Sequence, residues 1–216
     1  MIIDSDIGFE GNVQALTNNN VDTIGRYYCE ATDPHHYKLI LPKEAGQIAK
    51  AKIRLFTIFE QAVDLTNGTA HANSAMTCAQ AIGQPPGSAI YFGIEKDGGF
   101  TQADMGQITT YFKDIGKAIA GKFDIGIYSN GTPCRVLKKA GLVKYTWLAA
   151  ASYTHDGTWD FYTSGLWTLA QVGPLDINTN LIPKSWPNMA QPWTLDVNFA
   201  NGDFGSFIAN PPTAIA

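Results

Sequence analysis

Charge runs, long apolar stretches, metal-type cysteine spacing and nucleotide-binding glycine motifs are all missing from this chain, and each absence removes a class of function. Three cysteines, Cys29, Cys78 and Cys134, are odd in number and lack metal-ligand spacing, so a complete disulfide framework within one chain is impossible and reduced thiols are expected. The four histidines, His35, His36, His71 and His155, form no ligand pattern either, and none ends a predicted strand. Neither a metal nor a cofactor is expected. There is no GxSxG elbow, no P-loop and no GxGxxG after the first strand, which sets aside serine hydrolases, nucleotide hydrolases and dinucleotide enzymes. Acidic residues outnumber basic ones, 19 to 15, for a formal net charge of −4 without runs of either sign, so nucleic acid is not an expected partner. No segment approaches the roughly 20 apolar residues that span a bilayer. Met1 leads into Ile2, Ile3 and Asp4 without the basic and apolar regions of a secretion signal. Synthesis in the cytoplasm is therefore expected, and a role outside the cell would require a non-classical exit, such as phage-type lysis or a secretion apparatus as delivery partner.

What is present is a 216-residue chain with 45% hydrophobic residues, enough for a substantial core and expected to form one domain over residues 1–216. Short β-rich runs alternate with helical segments, the pattern of parallel sheets. Eight strands are predicted, over 2–6, 23–29, 53–60, 89–95, 123–129, 145–151, 166–171 and 193–199. Helices are predicted over 12–17, 42–49, 72–82, 103–120 and 133–140, with irregular later connections. The clearest helix carries Met105, Ile108, Phe112, Ile115 and Ile119 on one stripe, with Thr101 to cap its start and Gly121 to end it. Thr132 reads as the N-cap of the next helix, with Pro133 first inside and Gly141 past the end. Cys134, early in that helix, reads as a small apolar filler, with an activated thiolate as the rarer alternative. Residues 172–192, rich in proline and asparagine, are predicted to form a long loop beside the site. Strand–helix units of this kind wind an open sheet or close into a barrel, and periodicity does not choose between the two.

The acids carry the most information. Asp4 and Asp6 end the first strand, Glu60 the third and Glu95 the fourth, with Asp97 just beyond, and Asp196 sits within the last. In a closed parallel barrel these ends meet on the rim where active sites of such barrels lie. Alternation in the last strand puts Leu195, Val197 and Phe199 toward the helices and Asp196 and Asn198 toward the interior. Arg26 has a planar fork suited either to an anionic group or to an ion pair with Glu60. Short acids such as Asp6 and Asp97 also bond nearby backbone at strand–loop junctions. Among the rim aromatics, Tyr128 is the one expected to touch substrate.

At these residues the chain resembles a known group. The landmarks are Ile3-Asp4-Ser5-Asp6, Ile24-Gly25-Arg26-Tyr27-Tyr28, the run from Ile90 to Glu95 and Asp97, Gly126-Ile127-Tyr128, Trp147-Leu148-Ala149 and Leu195-Asp196-Val197-Asn198, followed by Gly202 to Gly205. Their order is similar to that of the glycoside-hydrolase-like (β/α)-barrel domains related to the family 25 lysozymes. The resemblance implies a (β/α)8 TIM-type barrel acting on the glycan of bacterial cell walls, with Glu95 as general acid and Asp4 as base, nucleophile or electrostatic stabiliser. Asp6, Arg26, Glu60, Asp97, Tyr128 and Asp196 would contact substrate. Asp4 is expected to stay ionised with help from Arg26, and Glu95 to have a raised pKa. The lysozymes carry an aspartate two residues before the fourth-strand glutamate, and here that position is Gly93. Two readings follow: a muramidase-like glycosidase of peptidoglycan, and a barrel that binds wall carbohydrate without cleaving it. Leu175-Asp176-Ile177-Asn178 imitates the last-strand motif, but Pro174 makes Asp176 a poor strand residue, so Asp196 is preferred.

Overall fold

The computed structural model describes residues 1–30, 33–60, 65–96, 98–174 and 195–212. Eight strands close into a barrel in the order β1 (Ile2–Ser5), β2 (Thr23–Tyr28), β3 (Arg54–Glu60), β4 (Ala89–Gly93), β5 (Asp124–Ser129), β6 (Tyr145–Ala149), β7 (Leu169–Pro174) and β8 (Leu195–Ala200). Among the described residues there are six α-helices: α1 (Val13–Asn18), α2 (Pro42–Lys50), α3 (Gly68–Ala81), α4 (Met105–Ile119), α5 (Gly131–Lys139) and α6 (Thr158–Ser164). None is long and apolar enough to cross a membrane.

The expectation of eight parallel strands needs correcting. Strands β1 to β7 are parallel neighbours, but β8 runs antiparallel to both β7 and β1. An antiparallel neighbour needs no crossover helix, so the chain leaves β7 and enters β8 at the same rim. A strict (β/α)8 repeat is therefore not what closes this barrel. Asp196 stands at the start of β8 and still reaches the rim, paired in register with Asp4. The connection expected over 172–192 falls outside the described residues from 175 onward, as do Asp176 and Asp97.

Helix α6 occupies a stretch expected to be irregular, and α5 begins earlier than its punctuation suggests. Asn130 holds the N-cap position of α5, while the Thr132 hydroxyl donates to the Asp156 backbone carbonyl at 2.9 Å instead of capping. Thr101 and Asp104 form a reciprocal capping box ahead of α4, and the five stripe residues of α4 are all buried. Cys134 is fully buried, its Sγ donates to the Ser129 carbonyl, and burial pushes its thiol up, the opposite of an activated thiolate.

Two apolar layers result. Outward strand residues such as Ile3, Ile24, Leu55, Ile90 and Ile127 pack against the helices, and inward ones, Phe56, Tyr91, Tyr145, Trp147 and Leu169, fill the lower barrel. Glycine makes room for these rings. A Cβ on Gly126 would lie 2.3 Å from the Tyr91 ring, and one on Gly25 would lie 2.4 Å from Phe56 and 2.7 Å from the Asp4 Cβ. After β8 the chain turns under the barrel. Phe204 stacks edge-on against Phe56 at 5.7 Å, the Tyr91 hydroxyl donates to the Phe204 carbonyl, and Phe207 bridges to Leu55. With the floor filled, the polar opening of the interior lies at the opposite rim.

Candidate functional site

Inward positions one step above the aromatic layer are mostly polar, and with Ile58 they line an open cavity of about 220 Å³. Asp4 comes from β1 and Asp6 from just past it, Tyr27 from β2, Ile58 and Glu60 from β3, Glu95 from just past β4, Tyr128 from β5, Gln171 from β7 and Asp196 from β8. Asp4, Asp6, Glu60, Glu95, Tyr128 and Asp196, all expected to be site residues, are thus brought together. Asp97 lies outside the described residues.

Arg26 is not in the cavity, which corrects both readings of it. Alternation in β2 turns Gly25 and Tyr27 inward and Arg26 outward with Ile24 and Tyr28. There the fully buried guanidinium pairs with Glu44 of α2, Nε to Oε1 at 2.8 Å, and donates to the Ser5 carbonyl. Glu60 pairs instead with Lys38, at 2.8 Å. Lys38 also lies 5.1 Å from the Tyr27 ring centroid. It is the only cation among the described residues lining the cavity, and sequence reasoning did not identify it. Gln171 was missed as well.

Asp4 is only 2% exposed, and two amide relays converge on it. The Trp147 indole N–H donates to Asn198 Oδ1 at 2.7 Å, and Asn198 Nδ2 then donates to Asp4 Oδ1 at 2.6 Å. Because indole nitrogen can only donate, it fixes the Asn198 amide with its NH2 toward the acid. The Tyr128 hydroxyl donates to Gln171 Oε1 at 2.7 Å, and Gln171 Nε2 donates to both Asp4 oxygens and, at 3.3 Å, to Asp196 Oδ2.

Burial, reinforced by the Asp196 charge, nevertheless pushes Asp4 up to about 8, against the amide donors that favour its ionised form. This corrects the expectation that Asp4 stays ionised. The acid is too deeply desolvated, and Arg26, its expected helper, points away. Asp196 is raised to about 6, by burial first and by Asp6 second. Glu95 is also raised, by burial and then by the Glu60 charge, while Tyr128 and Lys38 act in the other direction. Burial and the surrounding acids hold the Tyr27 and Tyr128 hydroxyls well above their usual range, so both keep their protons and can donate hydrogen bonds. Asp6 Oδ1 is buried without a hydrogen-bond partner among the described residues. Among those residues no group of three or more His, Cys, Asp or Glu is arranged to hold a metal. The arrangement offers several acids of different proton affinity around one opening, with phenols and amides to position a polar ligand.

Gly93 lies two residues past the inward-facing Tyr91 in β4, beside Ile58 of β3. A Cβ there would lie 3.1 Å from Ile58 Cδ1, so the space beside it is taken by a methyl group.

Comparison with known proteins agrees with this architecture. The chain is 28% identical over 175 residues to YbfG of Bacillus subtilis strain 168, across 73% of this chain and 24% of that protein. It is 23% identical over 174 residues to FadG of the same strain, across 76% of this chain and 30% of that one. Both are described as uncharacterized, and the chain spans less than a third of their length. Among solved structures, an uncharacterized B. stearothermophilus protein superposes with a TM-score of 0.62 at 16% identity, covering 93% of this chain and 95% of that one. The catalytic domain of the endolysin ply40 from Listeria monocytogenes bacteriophage P40 superposes with a TM-score of 0.51 at 12% identity, covering 94% of each. These likenesses show a shared fold. A family model matches residues 14–191, from the first helix to just short of β8, and by that match the chain belongs to the Rv2525c-like, glycoside hydrolase-like domain family.

Proposed function

We propose that this chain is a glycoside hydrolase of bacterial cell-wall peptidoglycan, working by carboxyl acid–base chemistry as the family 25 lysozymes do. The observation that carries the proposal is the presence of three carboxyls, Asp4, Glu95 and Asp196, in one rim cavity with their proton affinities raised to different degrees. Glycoside hydrolysis needs one protonated and one ionised carboxyl flanking the bond, and unequal environments are how proteins supply both. Glu95, desolvated beside Glu60, protonates the leaving oxygen. Asp196 is ionised above about pH 6, while Asp4 holds its proton up to about pH 8. Ionised Asp196, held by the same Gln171 amide, takes up the Asp4 proton, the Asn198 and Gln171 donors hold the negative charge left on Asp4, and Asp4 then serves as base, nucleophile or stabiliser. Asp6, Glu60, Tyr128 and Asp196 bind sugar hydroxyls. The glycoside hydrolase-like family and the endolysin neighbour support this substrate class, and delivery to the wall by lysis or a secretion apparatus is part of the same reading.

Glu95→Gln keeps the shape but removes the proton donor. It is expected to lower release of reducing ends from purified peptidoglycan by about 10²–10⁴ while leaving the fold intact, with Asp4→Asn comparably severe. Unchanged hydrolysis in both variants would sink the assignment. One observation favours a second reading, a barrel that binds wall carbohydrate without turnover: Gly93 supplies no carboxylate, and Ile58 occupies the neighbouring space. Wild-type protein that is retained on peptidoglycan yet never releases reducing ends would establish it.

A further inference from the structure

Beside the acid cavity the rim carries a groove that the hydrolytic chemistry does not use. It is lined by Ala150, Tyr153, Thr158, Trp159, Tyr162 and Val172. Tyr153 is 64% exposed and Trp159 60% exposed, although large aromatic side chains are usually covered. The Trp159 ring is held in place. Trp159 stacks on Tyr162 at 6.1 Å and 24°, Tyr162 on Trp167 at 5.6 Å and 5°, and the Trp167 indole N–H donates to the Tyr162 carbonyl. Such a ladder presents a flat apolar face with little conformational entropy left to lose on binding.

The groove and the cavity draw on residues that are neighbours along the chain. Gln171 lines the cavity, and the next residue of β7, Val172, lines the groove. On the other side Glu95 borders both the cavity and a small polar pocket with Lys96, Asn130, Ala149, Ser152 and His155, and Ala150, next to Ala149, opens into the groove. In that pocket Asn130, only 5% exposed, has an Oδ1 with no hydrogen-bond partner among the described residues. A buried, unsatisfied acceptor is costly unless a ligand supplies the missing N–H or O–H.

We infer that the polar pocket and the aromatic groove form an extended binding track for further sugar units of the polymer whose scissile bond lies in the acid cavity. Trp159 and Tyr153 stack on pyranose faces, and Asn130 accepts a hydrogen bond from a sugar substituent. A glycan chain, with polar edges and apolar ring faces, matches the sequence of acid cavity, polar pocket and flat aromatic wall. This rests on the glycan reading above and adds to it that long chains are preferred over short ones.

The test compares kcat/KM for long soluble glycan strands with that for tetrasaccharide fragments from the same peptidoglycan, in wild type, Trp159→Ala and Tyr153→Ala, with thermal melts to establish folding. Both side chains are more than half exposed, so both variants are expected to fold. The long-over-short ratio should fall about tenfold in each, equivalent to roughly 1.4 kcal/mol of binding, mainly through KM. If wild type binds strands without cleaving them, the same ratio is read from dissociation constants. An unchanged ratio in both folded variants overturns the track and leaves the glycan reading standing. An unchanged ratio accompanied by altered oligomeric mass overturns it too, and assigns the groove to a protein contact. Wild type that neither cleaves nor binds strands of either length is the separate failure of the glycan reading itself.

Discussion

Asp4 and Asp196 make the folded protein sensitive to pH in a defined direction. Folded Asp4 keeps its proton to about 8, whereas the ordinary value for an aspartate is 3.8, and Asp196 keeps its own to about 6. Between those values the folded state binds more protons than the unfolded chain, so this contribution to stability is present at low pH and is lost as pH rises through the folded pKa. Asp104 and Asp203, held below the usual carboxylate range, act with the opposite sign only below about pH 4. Thermal melts should show Tm declining from about pH 5 to pH 8. Asp4→Asn should flatten that decline, and a wild-type Tm rising over the interval would contradict the assigned burial. Part of this site is legible in the residues themselves. Alternation places Asp196 and Asn198 inward in β8, and the same test applied to β2 turns Arg26 outward. Lys38 is different, because it reaches Glu60 from a 3₁₀ turn at His36–Lys38, where no periodicity predicts the direction of a side chain. The high proton affinity of Asp4 depends on depth of burial, which a strand-end position does not specify.

At the scale of elements, the clamp between β2 and α2 has a measurable weight. Glu44 lies in the first turn of α2, is 3% exposed, and accepts from both Arg26 and the Phe9 backbone N–H. Removing one partner of a buried ion pair leaves an uncompensated charge, so Glu44→Gln should destabilise the protein by about 3 kcal/mol in denaturant unfolding. The cavity should be unaffected, because neither residue lines it. A loss below about 0.5 kcal/mol, the usual range for surface changes, would mean the pair is not buried as described. Helices with a strong apolar stripe, α4 above all, are readable from spacing. Helix α6 is not, because its seven residues, Thr158–Ser164, span barely two turns and bury only Thr158 and Phe161, too few positions to establish a period. The orientation of β8 is equally hidden, since an inward/outward alternation reads the same in either direction along the sheet.

For the molecule as a whole, closure depends on a plug as well as on strand pairing. Phe204, from the segment that turns under the barrel, packs on Phe56 and completes the aromatic layer beneath the cavity. Phe204→Ala should cost about 3 kcal/mol by leaving a void in that layer. Hydrogen exchange should then rise first in the lower halves of β3 and β4, where the segment is bonded through Phe207 and Gly205. Protection left unchanged there would show that the floor is held without the plug. The number of strands and the gathering of acids at one rim follow from the order of motifs along the chain. The plug does not, because nothing in the composition of residues 201–207 marks them as part of the barrel interior.

The reversed last strand also decides how the barrel responds to mechanical load. Ile2 pairs with Asn198 and Ser5 with Leu195, so the start of β1 and the end of β8 lie side by side at the floor. A force pulling these two ends apart acts across the ladder and not along it. The hydrogen bonds between β1 and β8 would then break one after another, like the teeth of a zip, once the segment holding Phe204 and Phe207 had been pulled free. Had β8 been parallel, its far end would stand at the rim, and the same tension would load every bond of the seam at once, in shear.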